Sequence, residues 1–190
     1  MNTDRDAVRA RRRSSRSNAK KQARPVAQAQ RPRKRAIYSR DLGINLESRA
    51  EAEFFKWFLA CLLFGKPIQQ EIAERAYLTI VRAGLVSPEA VLAAGWDKLV
   101  QLLDEAHYVR YDFSTATKLL DVCRELKERY GTLDRLLAQA RTPAELSARL
   151  QEFKHIGPVT ARIFFREVRP IWYPSGKSAK QRRSASSRDA

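Results

Sequence analysis

Apolar residues recur at helical spacing from residue 47 onward, and no segment alternates apolar and polar positions long enough to predict a strand. The first helix runs from about Glu47 to Phe64. Acids at Glu47, Glu51 and Glu53 suit its N-terminal dipole, and it turns apolar nearly all round at Trp57–Phe64, which places it at the centre of a core. Gly65-Lys66 breaks it, and Pro67 suits the first turn of a second helix that ends at Gly84. Ser87-Pro88-Glu89 reads as the capped start of a short third helix, stopped near Gly95, and Trp96 to Glu105 gives a fourth. Tyr108 to Phe113 is an aromatic loop, and Ser114 or Thr115 caps a fifth helix that ends at Tyr130-Gly131. A short sixth follows Thr132, a seventh runs from Thr142-Pro143 to Phe153, and an eighth from Gly157-Pro158 to about Val168. Pro170 and Pro174 then end regular structure. The fold class is all-α, in one domain over residues 45–170 with short connections.

Charge divides the chain differently. Of 190 residues, 37 are Lys or Arg and 21 Asp or Glu, a formal net charge of +16. Residues 1–36 hold 13 basic and 2 acidic residues, and residues 174–190 hold 5 and 1, so the segment between them carries 19 against 18 and is close to neutral. Residues 1–40 therefore read as a disordered basic N-terminal tail and 174–190 as a disordered basic C-terminal tail, because neither has the apolar surface to offset the entropy of ordering. Runs such as Arg11-Arg12-Arg13 and Arg33-Lys34-Arg35 suit a solubilising arm, or an arm that displaces counterions from a polyanion backbone. Anionic lipid fits less well, since no apolar helix face accompanies the charges.

Several classes drop out. The longest apolar stretch, eight residues at Trp57–Phe64, is too short to span a bilayer, and the basic N-terminus has no apolar segment behind it to make a secretory signal. Cys61 and Cys123 sit in helical apolar patterns and read as core thiols of a cytoplasmic protein. Two cysteines and two histidines (His107 and His155), with no HxxxH or HxxE spacing, leave no metal site to argue. No glycine-rich phosphate loop is present, and no Ser/His/Asp or Cys/His constellation can be assembled. His107, Tyr108, Tyr111 and Phe113 offer either a stacking surface for unpaired bases or the packing of a helix junction.

The most informative segment is Leu150 to Arg166, LQEFKHIGPVTARIFFR. One amphipathic helix ends at Phe153, four residues turn the chain, and Pro158 opens the next helix. Ile156 can plug the gap between the two, and Gly157 reads as a left-handed or closely approached position. Free N–H groups of the turn and of the following helix start suit a phosphate, with side-chain help from Lys154 and Thr160. An ordinary αα-corner has the same outline.

In these residues the chain resembles the helix-hairpin-helix DNA glycosylase superfamily, the endonuclease III-like base-excision-repair enzymes. Phe153, Lys154, His155, Ile156, Gly157, Pro158, Val159, Thr160 and Ala161 follow the hairpin pattern of an apolar residue, Pro, Gly, an aliphatic residue, Gly, two variable residues and Thr-Ala. The apolar helix and polar loop at Phe54–Val81, and the aromatic loop and long helix at Tyr108–Gly131, continue the likeness upstream. The resemblance implies a single compact helical barrel with its hairpin at residues 150–168. It also implies double-stranded DNA as partner, held through Lys154, His155, Ile156, Gly157, Pro158, Val159 and Thr160, and a monovalent cation on the carbonyls near Phe153, His155 and Gly157. RNA is the alternative polyanion.

The departures bear on catalysis. His155 replaces the first hairpin glycine, and histidine tolerates the left-handed region better than most residues. Val159 stands where bifunctional members place their nucleophilic lysine, and a valine forms no Schiff base. The neighbourhood of the family's aspartate, Pro174 to Lys180, holds no acid, and the iron–sulfur cysteines are missing. Glu167 is the weak catalytic candidate, against its simpler reading as a helix-surface charge. The segments that would build the second wall of an active cleft are too polar to pack. The expectation is a nucleoid-associated DNA-binding protein without catalysis, with a divergent active glycosylase as the alternative.

Overall fold

The apolar run Trp57–Phe64 forms the middle of the molecule, as its lack of a polar face requires. In the computed structural model, which describes residues 36–174, helix α1 spans Glu51–Phe64 and buries every residue from Trp57 to Leu63. Around it lie α2 (Gln70–Arg82), α3 (Pro88–Glu105), α4 (Asp112–Arg129), α5 (Leu133–Gln139), α6 (Pro143–Glu152) and α7 (Pro158–Trp172), with no strand among the described residues. The architecture is all-α. Helix α1 touches α2, α4, α5 and α7, and α3 packs along α4 in the most extensive helix pair. Trp57 donates its indole N–H to the Phe164 carbonyl at 3.3 Å, tying α1 to α7.

Caps fall where short polar side chains precede apolar periodicity. Ser87, Thr132 and Thr142 accept the N–H groups of Ala90, Arg135 and Glu145 at the starts of α3, α5 and α6. Neither Ser114 nor Thr115 caps α4, which begins two residues earlier. The Asp112 carboxylate instead accepts the Phe113 N–H at 2.8 Å, and Thr115 is fully buried. The expected third and fourth helices form one element kinked at Gly95, whose φ of +73° only glycine adopts readily.

Further boundaries differ from the sequence reading. Helix α2 starts at Gln70, leaving Pro67 in the connecting loop. Helix α7 runs through Pro170 to Trp172, because Ile171 is buried and Trp172 meets Phe54 edge-on at 5.7 Å, and that packing outweighs one missing backbone donor. The ordered domain also begins before residue 45, inside the stretch 1–40 assigned to the tail. Short 3-10 helices at Ser39–Leu42 and Leu46–Ser48 bury Ser39, Leu42, Ile44 and Leu46, and α1 starts only at Glu51.

Glu167 holds that early segment. Its carboxylate accepts the Ser39 N–H at 3.0 Å and the Ser39 hydroxyl at 2.6 Å, while Arg166 donates to the Ile37 carbonyl and covers the Tyr38 ring at 4.3 Å. Charge-assisted hydrogen bonds to a largely buried carboxylate contribute roughly 1.5–3 kcal/mol. Glu167→Ala is expected to lose about that much stability and to open residues 37–42 to trypsin after Arg40. Unchanged cleavage at Arg40 would show that the clamp does not hold the segment.

Candidate nucleic-acid interface

The hairpin is built on a packed base. At the end of α6, Phe153 is buried and stacks on Tyr130 at 6.0 Å, with the Arg129 guanidinium 5.4 Å from the Phe153 ring. Arg129 is itself paired with Glu125 and Glu152. Ile156 is buried and its N–H donates to the Phe153 carbonyl at 3.1 Å, so it fills the gap between the helices as its apolar character requires.

The first half of the turn is pinned to α4. His155 takes the left-handed conformation, φ +75°, and its Nε2 donates to Asp121 at 3.1 Å. The Lys154 N–H donates to Glu125 at 3.2 Å, and Lys154 Nζ lies 3.5 Å from Asp121 on an exposed side chain. Partial burial works the other way, but the His155 hydrogen bond and the Lys154 charge hold the Asp121 carboxyl below its ordinary value. The Lys154 amide is thus already satisfied, and its exposed ammonium lies beside Asp121.

The second half of the turn is open. Gly157 is exposed with φ −93° and ψ 177°, ordinary extended backbone, and a Cβ placed there would meet nothing within 4 Å. It is neither left-handed nor closely approached by the protein, contrary to the sequence reading; His155 has taken the left-handed role. The N–H groups of Gly157, Val159 and Thr160 have no acceptor among the described residues, as expected of a helix start without a side-chain cap. They form the positive end of the 15-residue helix α7. Pro158 and Val159 are exposed beside them.

Thr160 offers only its amide. Its side chain is buried against Gly65, in the α1–α2 loop, where a Cβ would lie 2.2 Å from the Thr160 hydroxyl. That contact fastens the hairpin to the end of α1 and corrects the expectation that the Thr160 side chain reaches a phosphate.

The end of α1 joins the aromatic loop to the same neighbourhood. Two of its last carbonyls take side-chain donors: Tyr108 donates its hydroxyl to Leu63 at 2.7 Å, and Lys118 its ammonium to Leu62 at 2.9 Å. Tyr108 is therefore core packing and not a stacking surface, while His107 beside it is exposed. Lys118 is 3% exposed, and burial together with the nearby Lys66 charge lowers its pKa to about 8. Sequence reasoning passed over Lys118, although its spacing from Thr115, Leu119 and Val122 put it on the apolar face. Lys66 and Arg110 both approach the Tyr111 ring at 5.6 Å.

No family model, curated protein or solved structure matches the chain. The likeness to the glycosylase hairpin accordingly stands on the residues themselves.

Their arrangement limits the chemistry. Glu167 lies ten residues after Gly157, about 15 Å along α7 at the usual rise per residue. Its carboxylate borders a cleft of about 310 Å³ with Ser39, Arg40, Ile44, Arg166 and Ile171, where its oxygens are committed to Ser39. The catalytic candidate is therefore a clamp, remote from the hairpin. Among the described residues no group of three His, Cys, Asp or Glu side chains could hold a metal ion, and no helix is long and apolar enough to cross a membrane. For the monovalent cation, the Phe153 and Gly157 carbonyls each already accept one N–H and keep a second lone pair. Arg11, Arg12, Arg13, Arg33, Lys34 and Arg35 lie outside the described residues.

Proposed function

We propose that this chain is a non-catalytic DNA-binding protein of the helix-hairpin-helix DNA glycosylase type, acting on duplex DNA at the nucleoid. The observation that carries the reading is the start of α7. Three unpaired amides there surround an exposed glycine whose missing side chain the fold itself does not need. A phosphate fits such a place, since it accepts several N–H bonds, gains from the helix dipole and requires close backbone approach. Lys154 adds an exposed cation at the rim, within 3.5 Å of Asp121, and the basic tails add sequence-independent affinity. Base release would need a nucleophile or general base beside the flipped base. Val159 offers neither, and Glu167 is engaged elsewhere.

Gly157→Val separates binding from folding. Its backbone angles suit valine and nothing crowds the new side chain, so the entropy gained offsets the loss of an N-cap glycine and stability should stay within about 1 kcal/mol of the parent. Affinity for a paired duplex should fall by about 1–3 kcal/mol through loss of charge-assisted N–H contacts. Fluorescence anisotropy beside a denaturant melt checks both. A variant that binds as well as the parent removes the hairpin from the reading. Full-length protein should also lose affinity steeply with salt, and deleting residues 1–35 should flatten that slope. Equal or stronger binding to an RNA duplex would move the assignment to RNA.

A further inference from the structure

The large apolar residues that stand exposed among the described residues are Trp96, Val109, Phe113 and Val159. Three of the four fall between residues 96 and 113: Trp96 just after the Gly95 kink of α3, Val109 in the loop to α4 and Phe113 on the first turn of α4; the fourth is on the first turn of α7. Scattered single apolar residues need no explanation, but a cluster does.

The cluster is a constructed one. The Gly95 kink carries Trp96 outward at the start of the second half of α3. Trp96 donates its indole N–H to Thr117 at 3.1 Å, and Thr117 in turn donates to the Phe113 carbonyl at 3.0 Å. The two rings sit 5.4 Å apart at an interplanar angle of 36°, with Trp96 40% and Phe113 59% exposed. Two aromatic rings are thus held in a fixed relation and left in water. The connecting loop brings Arg110, and through the Tyr111 ring it meets Lys66, next to the Gly65 that touches Thr160 of the hairpin helix. On α4, Thr117 beneath Trp96 lies one turn before Asp121, which holds His155 of the hairpin. The acids of this stretch are Asp97, Asp104 and Glu105, all exposed, and Asp112, which spends an oxygen on the Phe113 N–H; Gln101 occupies one oxygen of Glu105.

We infer that Trp96 and Phe113 form a stacking platform for an unpaired base of bound DNA. This rests on the DNA-binding reading above and deepens it, from any duplex to one with a base out of its pair. Size favours a base over a protein partner. A whole aromatic side chain buries roughly 150–250 Å², and these two are only about half exposed. With Val109 they fall short of the apolar share, roughly half, of the ~800 Å² per partner of a stable protein interface. A nucleobase presents a π-face of matching dimensions, and stacking tolerates any base. The cations Arg110 and Lys66 suit the phosphates flanking such a base.

The test uses the full-length chain and two labelled DNA duplexes, one fully paired and one identical except for a single bulged adenine. The bulged duplex should bind about tenfold tighter, the scale of one base–aromatic stack. Phe113→Ala removes a side chain that is mostly in solvent; it should erase the preference while leaving paired-duplex affinity and the denaturation midpoint within error. Trp96→Leu should act in the same direction. Equal binding of the two duplexes by the parent, or a preference that survives Phe113→Ala, overturns the inference and leaves the phosphate reading intact. Failure to bind either duplex overturns both. The same gain on an RNA duplex with the same bulge overturns the assignment to DNA.

Discussion

Gly65→Ala should destabilise the protein by about 1–3 kcal/mol, although its local geometry points the other way. Gly65 has φ −71° and ψ −3°, helical backbone in which alanine normally adds roughly 0.4–1 kcal/mol by restricting the unfolded chain. Here the new Cβ would lie 2.2 Å from the Thr160 hydroxyl oxygen, 3.4 Å from Thr160 Cβ and 3.2 Å from the Cys61 carbonyl. Thr160 cannot yield cheaply. It is buried in the first turn of α7, so one rotation of χ1 brings its methyl where the hydroxyl was, and the other turns both heavy atoms into packed surroundings. The overlap is relieved only by moving α7 from the end of α1. Duplex affinity should therefore fall with stability, because the hairpin amides move with that helix. Thr160→Ala removes the clashing atom, so the double variant should regain at least ~1 kcal/mol relative to the sum of the singles. Chemical denaturation of the four proteins in the cycle measures this. Additive losses would mean the two residues are not in contact.

The second large effect is a rise in stability with pH that belongs to Lys118. Its ammonium is buried beside Lys66 with one carbonyl partner, and its pKa falls from an ordinary 10.5 to about 8. Below pH 8 both the folded and unfolded chains hold the proton, and the cost of burying the charge is fully present. Between pH 8 and 10.5 the unfolded chain binds more protons than the folded one, so stability increases with pH. Above that window nothing more is gained. The full change amounts to about 3 kcal/mol. Other groups act oppositely: burial raises the Cys61 and Cys123 thiols and the Tyr108 hydroxyl, which lowers stability in alkali. The measurement is therefore a difference. Lys118→Met keeps those groups and the apolar stem, and loses the bond to Leu62 by an amount that does not vary with pH. The stability of the parent minus that of the variant should grow by about 3 kcal/mol from pH 7 to 10.5. A flat difference would show that Lys118 keeps an ordinary affinity for its proton.

Much of the fold is legible in the amino-acid sequence. Helical periodicity and capping residues set the element order because they act within one or two turns of chain. Ser87, Thr132 and Thr142 cap the helices they precede. The all-round apolar run of α1 demands a central place, and His155 takes the left-handed turn its side chain tolerates. The hairpin, with Ile156 as its plug, is legible for the same reason.

Contacts across the chain are not legible. Glu167 reads as a surface charge or an acid catalyst until Ser39, 128 residues away, is seen to fill its oxygens. Thr160 reads as a phosphate ligand until Gly65 is found against it, and Pro170 reads as a stop until Ile171 and Trp172 are seen to pack beyond it. Trp96 and Phe113, 17 residues apart, become a pair only when α3 folds back along α4. Local sequence determined which segments are helices and where the chain turns, since backbone preference and periodicity need only near neighbours. Tertiary structure alone decided which polar groups are used up internally and which face outward, since that depends on partners brought together from distant positions.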